Sequence, residues 1–553
     1  MFYMRIKGYI QLLFVFVLSL IFSSFCDSIH DYYKPTFHIY QQSGGWLNDP
    51  TGLMYENGYH HLFYQVNPSG ACIWENSISW AHITTQDFIS YLIHPNALEP
   101  TSGWMDSHGD WSGGTFYDSD RKPWLPFTCV GDDDIQRQCL AEAVDDSYIS
   151  WDKLLAENPV LVPPDDSLDS LYRDPGTVYL LSYTDLPDDD SPTEHMILGS
   201  GDGINGTIRL VDTSDMYQWK DIGVLLDGTM FSGYDEELGF NWECPDLFAF
   251  DYTVDTPLFY ALFGIDKIYT MYYATGSIEL TGDDANPYTF NQQFLSRLDY
   301  GSPYASRTYQ HTDTDAEGIV TNSRRLMWTW IKEERDNEDI DMADPCFAGV
   351  MGFPREVFPC DINTADDLGL TNGTVVGLCS YPIDEMNMLR LGDPATAEIS
   401  PATVDELATV EFDADQTNNG ACDIVVTTST PIDQCTTSVI LGFLSGNRVV
   451  VKIIPSDESY SGVSKLIVDK RYSSSSNLIQ KQNVYADIPP SPFSTDELRI
   501  VWDHSVVELY LAGGVVTVST RFYPDTNMLS YVEVSSDCEC SVNVWKMDNI
   551  ILE

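Results

Sequence analysis

Three carboxylates in this chain stand in matching settings. Asp49 lies in GGWLNDPTG, Asp174 in YRDPGTVYL and Glu243 in NWECPDLF. Each sits within two residues of a proline, beside aromatic or apolar side chains, at the mouth of a predicted strand. Proline fixes its own φ and pushes a preceding residue towards extended backbone, so Asp49 and Asp174 start from restricted conformations. Asp-Pro is also common turn chemistry and occurs four times here, so one copy alone reads as a turn. Asp344 and Asp393 lack the flanking pattern and serve as internal controls. Arg173 should keep its neighbour Asp174 ionised, whereas Trp242, Cys244 and Pro245 should disfavour the charged form of Glu243. Acids pushed apart in this way supply a nucleophile and a proton donor at one pH. Breaking a glycosidic bond needs that pair, one group attacking the anomeric carbon and another protonating the leaving oxygen.

Strands must position these acids. After Asp49, GLMYE, the turn pair Asn57-Gly58 and YHHLFYQ read as a hairpin, which places Gln65 beside Asp49. From Phe37 to about Trp330 the chain alternates short strands, tight turns and acidic or Gly-rich loops, as in GTVYLLSYTD, GTIRLVDTS and PLFYALFG. That density suits an all-β propeller or large sandwich, although no crisp repeat is visible. Residues 341–405 read as linker and irregular loops. The rest, from 406 to 553, reads as a β-sandwich with a hairpin turn at Gly513-Gly514.

Composition narrows the partners. The 553 residues hold 28 basic and 84 acidic side chains, a formal charge of −56. Nucleic acid and anionic membranes need a basic face, so both are excluded as partners. Residues 1–26 read as a secretory signal, with Arg5 and Lys7 before an apolar core, or else as an uncleaved anchor. Two sequons, at Asn205 and Asn372, fit that route. Of twelve cysteines one lies in the signal, which leaves an odd count of eleven, and no pair has zinc spacing. No metal or cofactor is expected. Gly201 to Gly206 matches a dinucleotide fingerprint by letters, but a strand follows it instead of a helix. The loop from Asp313 has Arg324 where a calcium loop needs glutamate.

Taken in order, GGWLNDPTG, HHLFYQVNP, WSGG, YRDP and WECPDLF resemble the β-fructofuranosidases of glycoside hydrolase family 32. The resemblance continues through LDYGSPYASRTY, RRLMWTWI, DHSVVELYLAGGVVTVSTRFYP and VNVWKM, and so covers almost the whole secreted chain. It implies a five-bladed β-propeller over about residues 36–340, since a blade takes roughly 60 residues, followed by a β-sandwich. It also implies a retaining fructosidase acting on sucrose or on fructans such as inulin and levan, secreted or vacuolar. Asp49 would be the nucleophile, Glu243 the acid and base, and Asp174 the transition-state stabiliser. Retention would set the Asp49 and Glu243 carboxyls about 5–5.5 Å apart. Asn48, Gln65, Trp74, Trp111, Ser112, Arg173 and Asp299 would bind substrate. Three letters depart from the pattern. Thr51 replaces an asparagine, and Glu75 replaces a glycine. Ser302 stands where plant-type invertases carry a cation that helps hold glucose, which points away from sucrose and towards fructan ends. Trp46 is the form usual in hydrolases. A fructosyltransferase and a catalytically silent sugar-binding homologue are the alternatives. Glu508, on its long hairpin, reads as structural.

Overall fold

The computed structural model describes residues 33–553, apart from 76, 165–170, 182–192, 232–237, 267, 284, 315–319, 336–345, 365–372, 402–406, 460–461, 490–495 and 526–529. The signal at 1–26, Asp344 and the sequon at Asn372 lie outside these residues.

Between Gly45 and Pro382 the described residues form five antiparallel sheets, each with four principal strands in chain order. Their first strands begin at Gly45, Gly109, Tyr172, Trp242 and Pro303. Burial follows position. The second strand of the first sheet, Tyr59–Val66, is buried along almost its whole length, whereas the fourth, Ser90–Leu98, is largely open to solvent. A strand covered by neighbouring sheets on both faces needs continuous apolar sequence, and an outer one does not. The Asn57-Gly58 turn is as expected, with φ of 54° and 79° joining Gly45–Glu56 to Tyr59–Val66.

The linker expected over 341–405 is corrected. Arg355–Thr364 and Gly373–Pro382 are the outer strands of the fifth sheet, joined by the disulfide Cys360–Cys379. Pro359, Asp361 and Asn363 hid the first of them, because an outer strand tolerates such residues. Arg390–Ile399 is likewise an edge strand, of the second domain. A short stretch ahead of all three closes the ring. Phe347–Ala348 pairs in parallel with Gly45–Trp46 of the first sheet, and Val350–Met351 pairs with Trp330–Ile331 of the fifth.

The second domain stacks two six-stranded antiparallel sheets, as the sandwich expectation has it. Their inner faces meet in a core that includes Phe443, Trp502 and Phe522. Its last strand, Ile551–Leu552, returns to the first domain and pairs with Ser90–Tyr91.

Charged groups join the domains. His38 bonds Asp503 through Nδ1 at 2.8 Å and Glu508 through Nε2 at 2.9 Å, all three buried. Glu508 also accepts from Arg355, from the Phe353 amide and from Tyr510, so it is structural, as expected. Burial disfavours the imidazolium, but hydrogen bonds to Asp503 and Glu508 overcome it and raise the His38 pKa to about 9. The folded value lies above the ordinary 6.5, so this stabilisation is complete below pH 6.5 and is lost as pH rises through 9. Replacing His38 by Ala should therefore lower stability at pH 6 by about 3 kcal/mol. Denaturant titration at pH 6 and pH 9.5 checks this, with the deficit shrinking at the higher pH.

Candidate active site

The first strand of each of the five sheets contributes to one cavity of about 720 Å³. They supply Asp49, Ser112, Arg173, Glu243 and Tyr304 in turn, with Asp174 directly after the third. Close backbone approach brings the strand mouths together. A Cβ on Gly114 would sit 2.7 Å from the carbonyl of Gly176, and one on Gly176 would sit 2.9 Å from that of Pro245. Three consecutive sheets touch there through main chain alone. Asp174, at φ 65°, and Cys244, at φ 46°, hold left-handed backbone that side chains rarely adopt. Such strain persists only where surrounding contacts enforce it, and it clusters at functional sites.

Each carboxylate has its own set of donors. Asp49 accepts from Ser112 Oγ at 2.6 Å and from the Asn48 amide at 3.1 Å. That amide also donates to Gln65 at 2.5 Å, and Trp46 donates to Asn48 at 2.8 Å. The irregular register between Leu47 and Pro50 sets Asn48 and Asp49 opposite Gln65, as the hairpin predicts. Asp174 is buried and accepts from the Cys244 amide at 2.9 Å. Its own amide donates to Thr128 at 2.9 Å, and Arg307 donates to its carbonyl at 3.2 Å. Glu243 accepts from Arg173 and, at 2.5 Å, from the Tyr304 hydroxyl. Cys244 Sγ lies 3.3 Å from Asp49 and 3.6 Å from Asp174, so one thiol faces two of the three acids.

Two expectations are corrected. Arg173 ion-pairs with Glu243, 70 residues away in the chain, and its charge does not hold its chain neighbour Asp174 at the ordinary carboxylate pKa. Burial then raises the Asp174 pKa to about 6, against the pull of Arg173 and with a further push from Glu243. Burial and Glu243 also raise that of Asp49, against its bond from Ser112. Asp174 lies beyond the end of its strand in left-handed backbone and takes its donor from the Cys244 amide, which sequence proximity does not reveal. The second correction concerns Asp299, which does not line the cavity. It is buried at the domain junction, where it accepts from the Ser519 amide at 2.9 Å and pairs with Arg355. Ser302 lies there too, its amide on the Ser519 carbonyl at 2.8 Å, so it cannot stand in for a substrate-binding cation.

Asn48, Gln65, Trp74, Trp111, Ser112 and Arg173 line the cavity. Sequence reasoning missed Gln136, Tyr269, Lys332, Glu333, Arg335 and Gln480. Lys332 and Glu333 directly follow the RRLMWTWI motif, which was the available signal for them. Gln480 had none, because it comes from the second domain, tied down by its amide bond to the Glu334 carbonyl at 2.8 Å. Thr51 is now explained. Its buried hydroxyl donates to the Gly113 carbonyl at 2.7 Å and accepts from the Gly113 amide at 2.8 Å, fixing the residue next to Ser112.

Two family models match the chain. That for the glycosyl hydrolases family 32 N-terminal domain covers residues 38–367, and that for the family 32 C terminal covers 390–546. The chain belongs to glycosyl hydrolase family 32. Among its relatives, an acid beta-fructofuranosidase of Solanum lycopersicum is 26% identical, matching 94% of this chain and 82% of its own. A fructan 6-exohydrolase of Beta vulgaris is also 26% identical, over 89% of this chain and 82% of its own. Among solved structures, fructan 1-exohydrolase IIa of Cichorium intybus superposes with a TM-score of 0.73 at 21% identity, covering 95% of this chain and 99% of that one. The family makes this chain a glycoside hydrolase built as a β-propeller followed by a β-sandwich.

The acid cluster has a stability consequence. A carboxyl whose folded pKa is raised from 3.8 to about 6 costs stability as pH rises through that interval. The Asp174→Asn enzyme should therefore be more stable than wild type at pH 7, by about 3 kcal/mol at most. The gain should vanish below pH 4, and melting curves at the two pH values check it.

Proposed function

We propose that this protein is a retaining β-fructosidase that releases terminal fructose from sucrose and fructans through a fructosyl-enzyme. The observation that carries this reading is the convergence of Asp49, Asp174 and Glu243 on one cavity, each with a different set of donors. Asp49 attacks the anomeric carbon, and Ser112 and Asn48 fix the direction of its oxygens. Glu243 protonates the leaving oxygen and then takes a proton from the attacking water, with Arg173 and Tyr304 setting its orientation. Asp174 holds fructose hydroxyls and faces the positive charge that develops on the ring. Trp46, Trp74 and Trp111 give the sugar apolar faces to pack on. The names of its relatives, β-fructofuranosidase and fructan 6-exohydrolase, support the same substrate class.

Leaving-group preference does not depend on Ser302. Besides Arg173, a cation of the cavity wall is Lys332, 4.7 Å over the Tyr269 ring, which itself packs edge-to-face on Tyr304. Lys332, Tyr269 and Gln480 hold the sugar that departs. Secretion or vacuolar delivery fits the four disulfides among the described residues and a relative from a Rosa hybrid cultivar that is named as vacuolar.

Released glucose and fructose measured across sucrose, 1-kestose, inulin and levan test this reading. Asp49→Ala should lower fructose release from every substrate by about 10⁴-fold or more. Unchanged release would overturn the assigned mechanism.

A further inference from the structure

A second cavity, of about 450 Å³, is lined by residues that follow those of the first along the chain: Tyr55 and Glu56, Thr115 and Tyr117, Thr177, and Arg307 and Thr308. Each lies three to seven residues beyond Asp49, Ser112, Asp174 or Tyr304 in its own segment, so this chamber sits further along those segments than the acids do.

Its charges are unusual for this molecule. Six arginines are buried: Arg209, Arg307, Arg335, Arg355, Arg499 and Arg521. Five of them pair with a carboxylate. Arg307 does not. It donates only to the carbonyls of Pro245, at 3.1 Å, and Asp174, at 3.2 Å, and its Nε has no partner among the described residues. Arg325, in the same chamber, also forms no ion pair among the described residues. It stacks at 4.2 Å on Phe248, donates to Thr308 Oγ1 at 2.7 Å and leaves its Nε unpartnered. The buried hydroxyl of Thr115 also has no partner among the described residues. The nearby acids are engaged elsewhere. Asp246 accepts from the Thr308 amide and hydroxyl. Glu56 bonds Tyr117 and faces Arg121.

A buried guanidinium normally has an anionic partner, because desolvating it alone is costly. This chain has three acids for every base, yet neither buried Arg307, which feels Asp174 only at longer range, nor half-buried Arg325 forms an ion pair among the described residues. We propose that the chamber is a binding site for a small oxyanion, a phosphate or a carboxylate group, held between Arg307 and Arg325 with Thr115 as a hydroxyl ligand. Planar forked donors suit both oxyanions, and the acidic exterior limits occupancy to millimolar ligand.

Thermal melting of the full-length protein tests the site at constant ionic strength. Inorganic phosphate and citrate serve as separate arms and sodium chloride as the reference. At least one oxyanion should raise the melting temperature saturably at millimolar concentration, and the arm that does so identifies the group. Arg325→Gln, a residue outside the catalytic cavity, should abolish the increment, and Arg448→Gln on the second domain should leave it intact. Crystals soaked in selenate give a readout that does not depend on variant folding, with anomalous density expected between the two guanidinium groups. Oxyanion effects no larger than chloride, or an increment retained in Arg325→Gln, would overturn the proposal. Selenate density confined to other surfaces would also overturn it.

Discussion

Mutual repulsion among three carboxylates is the constraint around which the first domain is built. Asp49, Asp174 and Glu243 share one cavity, where burial raises the pKa values of Asp49 and Asp174 and Glu243 raises them further. A single side chain could not contain that repulsion, so each acid draws on a different strand. Ser112 and Asn48 serve Asp49, the Cys244 amide serves Asp174, and Arg173 with Tyr304 serves Glu243. The left-handed backbone at Asp174 and Cys244 and the glycine contacts between sheets follow from the need to deliver those donors within one small volume.

Much of this was legible because the determinants are local. Proline flanks marked the three acids, and one turn pair fixed the register that sets Gln65 opposite Asp49. The missing parts are relations between distant segments. Arg173 was assigned to Asp174 because they are neighbours in sequence, whereas its partner Glu243 is 70 residues away. Asp299 and Ser302 sit inside a motif that resembles substrate-binding sequence, but the motif is also the contact surface for Ser519. Nothing in the letters around Gln480 announces that a loop of the second domain reaches the cavity. Similarly, the outer strands of the fifth sheet carry too little apolar pattern to be told from linker, since half of their surface is solvated.

The second domain is bound into the first by ionised groups as well as by apolar surface. Glu508 gathers His38, Arg355, Tyr510 and the Phe353 amide, and Asp299 gathers Arg355 and Ser519. Nearby, Glu333 is held well ionised, at a pKa of about 2, because Arg521 and Arg335 outweigh its burial. Glu333 lines the cavity while Arg521 belongs to the second domain, so the junction and the site share side chains. Changes in one should be felt in the other.

Ring closure imposes an order on biosynthesis. Gly45 and Trp46 obtain their parallel partner only from Phe347–Ala348. During translation the first sheet therefore waits with an open edge while about 300 further residues emerge, some 15–60 s at typical ribosome speeds. An unpaired strand edge exposed that long is a template for aggregation. The dense negative charge of the chain acts on the nascent protein as well as on the finished one, keeping neighbouring copies apart until the edge is covered.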